Sequence, residues 1–330
     1  MRRRQFIGLI WGAGASLPLR ALAQQRERTR HIGVLMHLSA DDPEGQSRVV
    51  AFLQGLQEAG WAVGRNVSVD VRWAAADIEV MKRAATELVA RQPDLLFTSS
   101  TPAAAAMLEA TRTIPVVFVL VADPVGTGLI ASLPRPGGNM TGFAPIVPSL
   151  GGKWAELIKE IAPSVRRITM LFNPLSATFI ESYADTFKKA ASSLGVEAKL
   201  APVENMDAIE AQVTGEAGKT DGALVIIPDA FTELHRAEII SLTVRHRVPA
   251  INWSRSFAEG GGLISYGPNL VEEYRRGATY ADRILKGAKA SELPVQTPIK
   301  FELVVNTKSA KSLGLVVPSA LLARADEVIE

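Results

Sequence analysis

The chain has 330 residues, 47% of them hydrophobic and 21% charged, with a formal net charge of +2 and no cysteine. The lack of cysteine excludes disulfides, cysteine–zinc sites, thiol catalysis and a lipid anchor on a cysteine at a cleavage site. Its four histidines, His31, His37, His235 and His246, show no metal-ligand spacing, and no basic stripe argues for nucleic acid.

The first element reads as an export signal. Arg2-Arg3-Arg4 makes a basic start, residues 6–19 a modest apolar stretch, and Ala21-Leu22-Ala23 an A-x-A cleavage site. Arg3-Arg4-Gln5-Phe6-Ile7 also fits the twin-arginine pattern. Residues 1–23 are therefore read as a twin-arginine signal cleaved near Ala23, delivering an unanchored protein to the periplasm. The signal holds four arginines and no acidic residue, which leaves 32 basic against 34 acidic residues in the mature chain. Gly12-Ala13-Gly14 lies in this signal with no strand before it, so it is not a dinucleotide loop.

The remaining chain carries one plan twice. Ile32-Gly33-Val34-Leu35-Met36 opens the first copy as a strand, followed by a helix ending near Gly60 and an edge strand over 66–73. A helix over 81–91 leads to a strand at Leu95-Leu96-Phe97 and a polar break at Thr98-Ser99-Ser100-Thr101-Pro102. A helix and a strand at Ile114-Pro115-Val116-Val117-Phe118 come next. The apolar run 115–133 is interrupted by Asp123-Pro124 and two glycines, which predicts a buried strand and a turn rather than a membrane span. The second copy opens at Ile168-Thr169-Met170-Leu171-Phe172, turns at Gly195, and continues with a strand over 223–227. A break at Pro228-Asp229, a helix and a strand over 248–252 complete it.

Strands rich in Val, Ile and Leu that alternate with helix-length segments predict an α/β fold of two Rossmann-like lobes with parallel sheets. Leu133-Pro134-Arg135-Pro136-Gly137-Gly138-Asn139 cannot continue a helix or a central strand, and the first crossing between lobes is placed just after it. Ser265-Tyr266-Gly267-Pro268 marks a second crossing, followed by a helix over 271–286. The strand over 301–306 lies near a third. Lobe one is expected over 31–145 plus about 269–300, and lobe two over 146–268 plus about 301–330. A three-segment hinge of this kind lets the lobes close like jaws.

Ligands of open parallel sheets bind beyond the carboxyl ends of the strands. That rule nominates His37, Ser39, Thr98, Ser99, Ser100, Thr101 and Asp123 in lobe one. In lobe two it nominates Asn173, Ser176, Asp229, Asn252, Trp253 and Ser254. Thr101 suits an N-cap and Pro102 the first helical position, and the helix start could hold an anion. Asp229 is either an N-cap or the partner of a cationic or hydroxyl group from the other lobe. Asp123-Pro124 and Asn173-Pro174 read equally as turns. Trp253 and Tyr266 could stack on a flat ligand. There is no G-x-S-x-G elbow and no phosphate loop, and Gly126-Thr127-Gly128 lacks a third glycine. The reading is a binding protein with no catalytic residue, metal or cofactor.

Several blocks together resemble one family. They are Asp123-Pro124-Val125-Gly126, the run from Ser132-Leu133-Pro134 through Asn139-Met140-Thr141-Gly142, Asn173-Pro174, Ser265-Tyr266-Gly267, and the tail from Lys300-Phe301-Glu302 to Arg324-Ala325-Asp326-Glu327. They are similar to the ABC transporter substrate-binding proteins that include the TrpX-like tryptophan and aromatic amino-acid binders. The resemblance covers essentially the whole mature chain and implies a type I periplasmic binding fold with the ligand enclosed between the lobes. It implies a monomeric receptor for an amino acid or organic acid that meets an ABC permease in the inner membrane. By position it carries the 98–101 loop, Asp123, Asn173 and Asp229 onto ligand-cleft loops. Two stretches depart from the amino-acid binders: residues 173–178 lack their acidic-polar cluster, and residues 268–271 lack their acidic, tyrosine-rich stretch. A periplasmic sensor for a membrane receptor and an exported cofactor enzyme are the alternatives.

Overall fold

A computed structural model describes residues 28–144, 147–219, 221–298 and 300–330. The expected export signal and its expected cleavage site lie outside the described residues.

Lobe one contains β1 (Arg30–Met36), α1 (Pro43–Glu58), β2 (Val67–Trp73), α2 (Ile78–Ala90), β3 (Leu95–Ser99), α3 (Thr101–Ala110), β4 (Val116–Val119) and β5 (Met140–Gly142). Its strands lie in the order β2-β1-β3-β4-β5, all parallel. Both sheet faces are covered, so each strand is apolar at successive positions instead of alternating. Val34, Met36, Phe97, Val117 and Val119 belong to one buried cluster with Phe52 and Leu56 of α1. Leu35, Leu96, Val116 and Phe118 pack on the other side with residues of α2 and α3.

Lobe two begins with α4 (Ser149–Ile161), β6 (Arg167–Phe172), α5 (Ile180–Ser193), β7 (Glu197–Pro202), α6 (Met206–Glu216) and β8 (Gly222–Ile226). It continues with α7 (Ala230–Leu234), α8 (Arg236–Arg245), β9 (Ala250–Asn252), α9 (Arg255–Glu259) and β10 (Ile264–Gly267). The chain then returns to lobe one, where α10 (Leu270–Leu285) packs on α1 and on β3 and β4. It crosses a third time into β11 (Glu302–Asn306), α11 (Thr307–Ser312), α12 (Ser319–Leu322) and β12 (Glu327–Ile329). The second sheet has the order β12-β11-β10-β9-β8-β6-β7.

Two details differ from the sequence reading. The second sheet is not wholly parallel, because β11 runs antiparallel to β10, with Gly267 opposite Glu302. Both strands have that end at a lobe crossing, one leaving and one entering, so they must run in opposite directions. The second difference concerns α3. Thr98 and Ser99 still pair with Phe118 and Val119, so β3 extends through the polar break. The N-cap is therefore Ser100, which accepts from the Ala103 N–H at 3.4 Å, while Thr101 and Pro102 are the first two helical residues.

The fifth strand of each lobe ends on a glycine that the packing requires. A Cβ on Gly142 (φ +153°) would lie 1.9 Å from the Phe118 carbonyl oxygen, and one on Gly267 would lie 1.9 Å from that of Trp253. Each glycine stands where the chain is about to leave its lobe, which is the repeated plan expressed as a steric rule.

Candidate ligand-binding cleft

The carboxyl ends of both sheets face a common cleft. Its inner part is a cavity of about 10 Å³ walled by His37, Ser100, Thr101, Pro102 and Leu120 from lobe one. Lobe two contributes Ser176, Phe179, Asp229, Glu233 and Trp253, among others. That volume is about one water-sized sphere. Thr101, Pro102, Ser176 and Phe179 also border an outer chamber of about 510 Å³. Lys82, Glu109 and Asp123 of lobe one and Leu175 and Glu181 of lobe two are among its other lining residues. A volume of that order suits a small organic ligand.

Two non-glycine residues in the inner wall have left-handed backbone. Ser100 (φ +80°) follows β3 and Leu120 (φ +56°) follows β4. Each such conformation costs on the order of 1–3 kcal/mol and persists only where the surroundings enforce it. Here the Ser100 N–H donates to the Val119 carbonyl at 3.2 Å, and the Ala122 N–H donates to Thr101 Oγ1 at 3.1 Å. The loops after β3 and β4 are thus tied together and present Ser100, Thr101 and Leu120 to the cleft.

Asp229 organises the opposite wall. It caps α7, with Oδ1 accepting from the Thr232 N–H at 2.8 Å and from Ser176 Oγ at 3.0 Å, and Oδ2 accepting from the Asn173 N–H at 2.9 Å. Burial nevertheless pushes its carboxyl up to about 6, against the pull of those donors. Asn173 closes the turn from the other side, since its Oδ1 accepts from the N–H groups of Leu175 and Ser176. One carboxylate therefore fixes the loop after β6 to the loop after β8.

The lobes also meet through an ion network on one flank. His37 donates or accepts at both ring nitrogens, to Ser99 Oγ at 2.9 Å and Glu233 Oε2 at 2.8 Å. The tautomer with the proton on Nε2 satisfies both contacts, with Ser99 donating to Nδ1. Arg48, wholly buried, pairs with Glu44 at 2.6 Å within α1 and with Glu233 across the cleft. Burial works to raise the Glu233 carboxyl, but Arg48 and His37 outweigh it and hold the group well below the usual carboxylate range. Further out, Arg236 bonds both Asp42 oxygens, at 2.7 and 3.0 Å, and lies 3.3 Å from Glu44. Ser254 Oγ donates to Glu44 at 3.3 Å.

The nominated residues divide into three groups. Ser100, Thr101, Asp123, Ser176, Asp229 and Trp253 line one or both cavities, as does His37. Thr98, Ser99, Asn173 and Asn252 stand behind them. Thr98 donates to the Leu35 carbonyl at 3.3 Å, and Asn252 accepts from the Ser254 N–H at 2.8 Å. Ser39 and Tyr266 line neither cavity. Tyr266 stacks on Phe301 with ring centroids 5.6 Å apart, and its carbonyl accepts from the Trp154 indole at 2.8 Å, so it belongs to the hinge. Sequence reasoning passed over Glu233, Arg48 and Phe179. For Arg48 a signal existed, because it falls on the buried stripe of α1 with Gly45, Val49, Phe52 and Leu56. A charge on a core stripe needs a partner.

Two Rossmann-like lobes, three crossings and a cleft walled by both define a type I periplasmic binding fold, a class whose members bind solutes. Residues 31–329 match the ABC transporter substrate binding protein family, and the chain belongs to it. It is 25% identical over 265 residues to the tyrosine-binding protein of Clostridioides difficile, covering 80% of this chain and 75% of that protein. Two solved structures each superpose with a TM-score of 0.84 over 91% of this chain and 100% of theirs. One is a conserved domain protein from Vibrio cholerae, 29% identical, and the other is an ABC domain from Streptococcus pneumoniae in complex with L-Trp, 28% identical. The chain is a binding protein of an ABC transporter system, not an enzyme.

Proposed function

We propose that the chain is the periplasmic solute receptor of an ABC importer, which closes its lobes on a small organic ligand and delivers it to the inner-membrane permease. The observation that carries this reading is the cleft itself, whose walls come from strand-end loops of both lobes. A ligand there touches both lobes only when they are closed. It therefore favours the closed state by a differential affinity, and that state is the signal a permease can select. The tyrosine-binding relative and the L-Trp complex support an amino acid or a related compound as the cargo class. The apolar surface of Pro102, Leu175 and Phe179 beside Thr101, Asp123 and Ser176 gives the outer chamber an amphipathic lining suited to such a compound.

Native mass spectrometry of the purified mature protein, followed by denaturation, tests the reading. A stoichiometric small molecule released on unfolding identifies the ligand. A thermal-shift panel of amino acids, organic acids and amines serves when the protein is isolated empty, and small-angle scattering with the hit should show the lobes closed. A released flavin, metal or nucleotide, or no stabilisation by any solute, would sink the receptor reading.

A further inference from the structure

The two flanks of the cleft carry opposite electrostatics. On the flank of α1, lobe one offers Asp42, Glu44 and Arg48 to Glu233 and Arg236 of lobe two, and every carboxylate there has a guanidinium partner. On the other flank, Asp123 of lobe one and Glu181 of lobe two line the same 510 Å³ chamber. Among the described residues neither carboxylate has a cation within 4 Å. Lys82, the cation of that lining, is hydrogen-bonded to Glu79 at 3.1 Å.

Asp123 acts across the cleft. The phenol of Tyr183 in α5 of lobe two is wholly buried, and among the described residues its hydroxyl has no hydrogen-bond partner. Burial first, and the charge of Asp123 second, push it well above its ordinary value. The field of a lobe-one carboxylate thus reaches the interior of lobe two when the lobes are together. Closing the lobes sets Glu181 of lobe two against Asp123 and Glu109 of lobe one around one chamber, which costs free energy unless a positive charge stands between them.

The chamber also has an apolar side. Leu175, 66% exposed, and Phe179 border it together with Pro102. The inner cavity, at about 10 Å³, cannot take an aromatic or aliphatic side chain behind the bulk of Leu120 and Trp253. Building on the receptor reading above, we infer that the cargo is a cationic amphiphile, an amine or basic amino compound with an apolar body. It sits in the outer chamber with its positive charge between Asp123 and Glu181. The cation removes the repulsion only in the closed state, so it supplies the differential interaction that ligand-driven closure needs. A net anion would add to the repulsion and hold the lobes apart.

Calorimetric titration of the mature protein with two matched triplets tests this. The first is tryptamine, L-tryptophan and indole-3-propionate; the second is phenethylamine, L-phenylalanine and 3-phenylpropionate. Each triplet keeps the apolar body and changes only the charge. In at least one triplet the amine should bind about tenfold more tightly than the anion, with the zwitterion between them. Asp123→Asn and Glu181→Gln should each lower that amine's affinity by about threefold or more. Asparagine at 123 tolerates φ +41° and can still accept from the Gly126 N–H, so the turn survives that substitution. Tightest binding by an anion, an amine indifferent to both substitutions, or no amine bound at all overturns the inference. The receptor reading stands through those outcomes whenever a zwitterion or anion binds, and in this titration falls when no solute of any charge does.

Discussion

His37 Nε2 and Glu233 Oε2 lie 2.8 Å apart across the cleft, and Arg48 of the same lobe as His37 takes the other Glu233 oxygen. A buried acid of lobe two is thereby neutralised by lobe one. Splitting a buried pair inside a rigid core leaves a stranded charge and costs about 3–5 kcal/mol. Here the halves sit on separate lobes, so opening returns both to water and recovers much of that cost. The contact is therefore near balance, which suits a joint that must open and close. Glu233→Gln removes the charge and leaves Arg48 buried without its interlobe partner, so the ligand-free variant should populate the open form. Small-angle scattering should show a larger radius of gyration than wild type; an unchanged value would show that the network does not hold the lobes.

Asp229 makes a pH prediction with a definite sign. Its folded value is raised from 3.8 to about 6, so its contribution to stability is fully present below about pH 3.8 and is lost as pH rises through about 6. The loss amounts to about 3 kcal/mol at most. Glu233 is shifted the other way, and its contribution is complete above its unfolded value of 4.5, so it does not vary in the upper part of this window. Between about pH 5 and 6.5, wild type should lose stability relative to Asp229→Asn as pH rises. The asparagine lowers the baseline by setting an amide against the Asn173 N–H, so the slope and not the level is the readout. Denaturant unfolding at several pH values measures it, and parallel lines for the two proteins would rule the shift out.

Trp253 occupies the inner wall at 2% exposure. Trp253→Ala should cost about 3–5 kcal/mol, because it removes a large buried side chain from the hydrophobic cluster and leaves a cavity. A cavity of that shape should take up indole, as apolar cavities take up small aromatics. Added indole should restore part of the lost melting temperature in the variant and leave wild type unmoved. No rescue would show that the wall refills on its own.

Much of this fold was legible in the residues because its strands are continuous apolar runs between turn signals, and because the plan occurs twice. The β3 boundary was less so. Thr98 and Ser99 read as a polar break, yet ladder pairing with Phe118 and Val119 holds them in the strand, and only Ser100 turns away. The antiparallel β11 was hidden for a different reason, since direction depends on where a chain re-enters a lobe and leaves no local mark. In the cleft, strand-end position located Ser100, Thr101, Ser176 and Asp229, whose backbone place decides their role. Glu233 escaped because its meaning lies in Arg48 and His37, 185 and 196 residues away in sequence. Tyr266 went the other way: an aromatic at a strand end was offered to the ligand, and the packing of Phe301 and Trp154 claims it for the hinge.

Gly142 and Gly267 give the last prediction. A methyl group at either would sit 1.9 Å from a backbone carbonyl oxygen, of Phe118 or of Trp253. The Phe118 oxygen cannot step aside freely, since it accepts from the Phe143 N–H at 2.8 Å at the point where the chain leaves lobe one. Gly195 is the natural control. It has φ +65° with nothing within 4 Å of the place a methyl group would take, so alanine there meets only the backbone penalty of about 1–2 kcal/mol. Gly142→Ala adds a displaced backbone to a positive φ, and Gly267→Ala displaces backbone with no positive φ to relieve, so each should cost about 3 kcal/mol or more. Thermal unfolding of the three variants separates the two terms. If the hinge glycines fall no further than Gly195→Ala, the crossings have slack; if they fall further, glycine at the end of each fifth strand is what lets the chain pass from lobe to lobe.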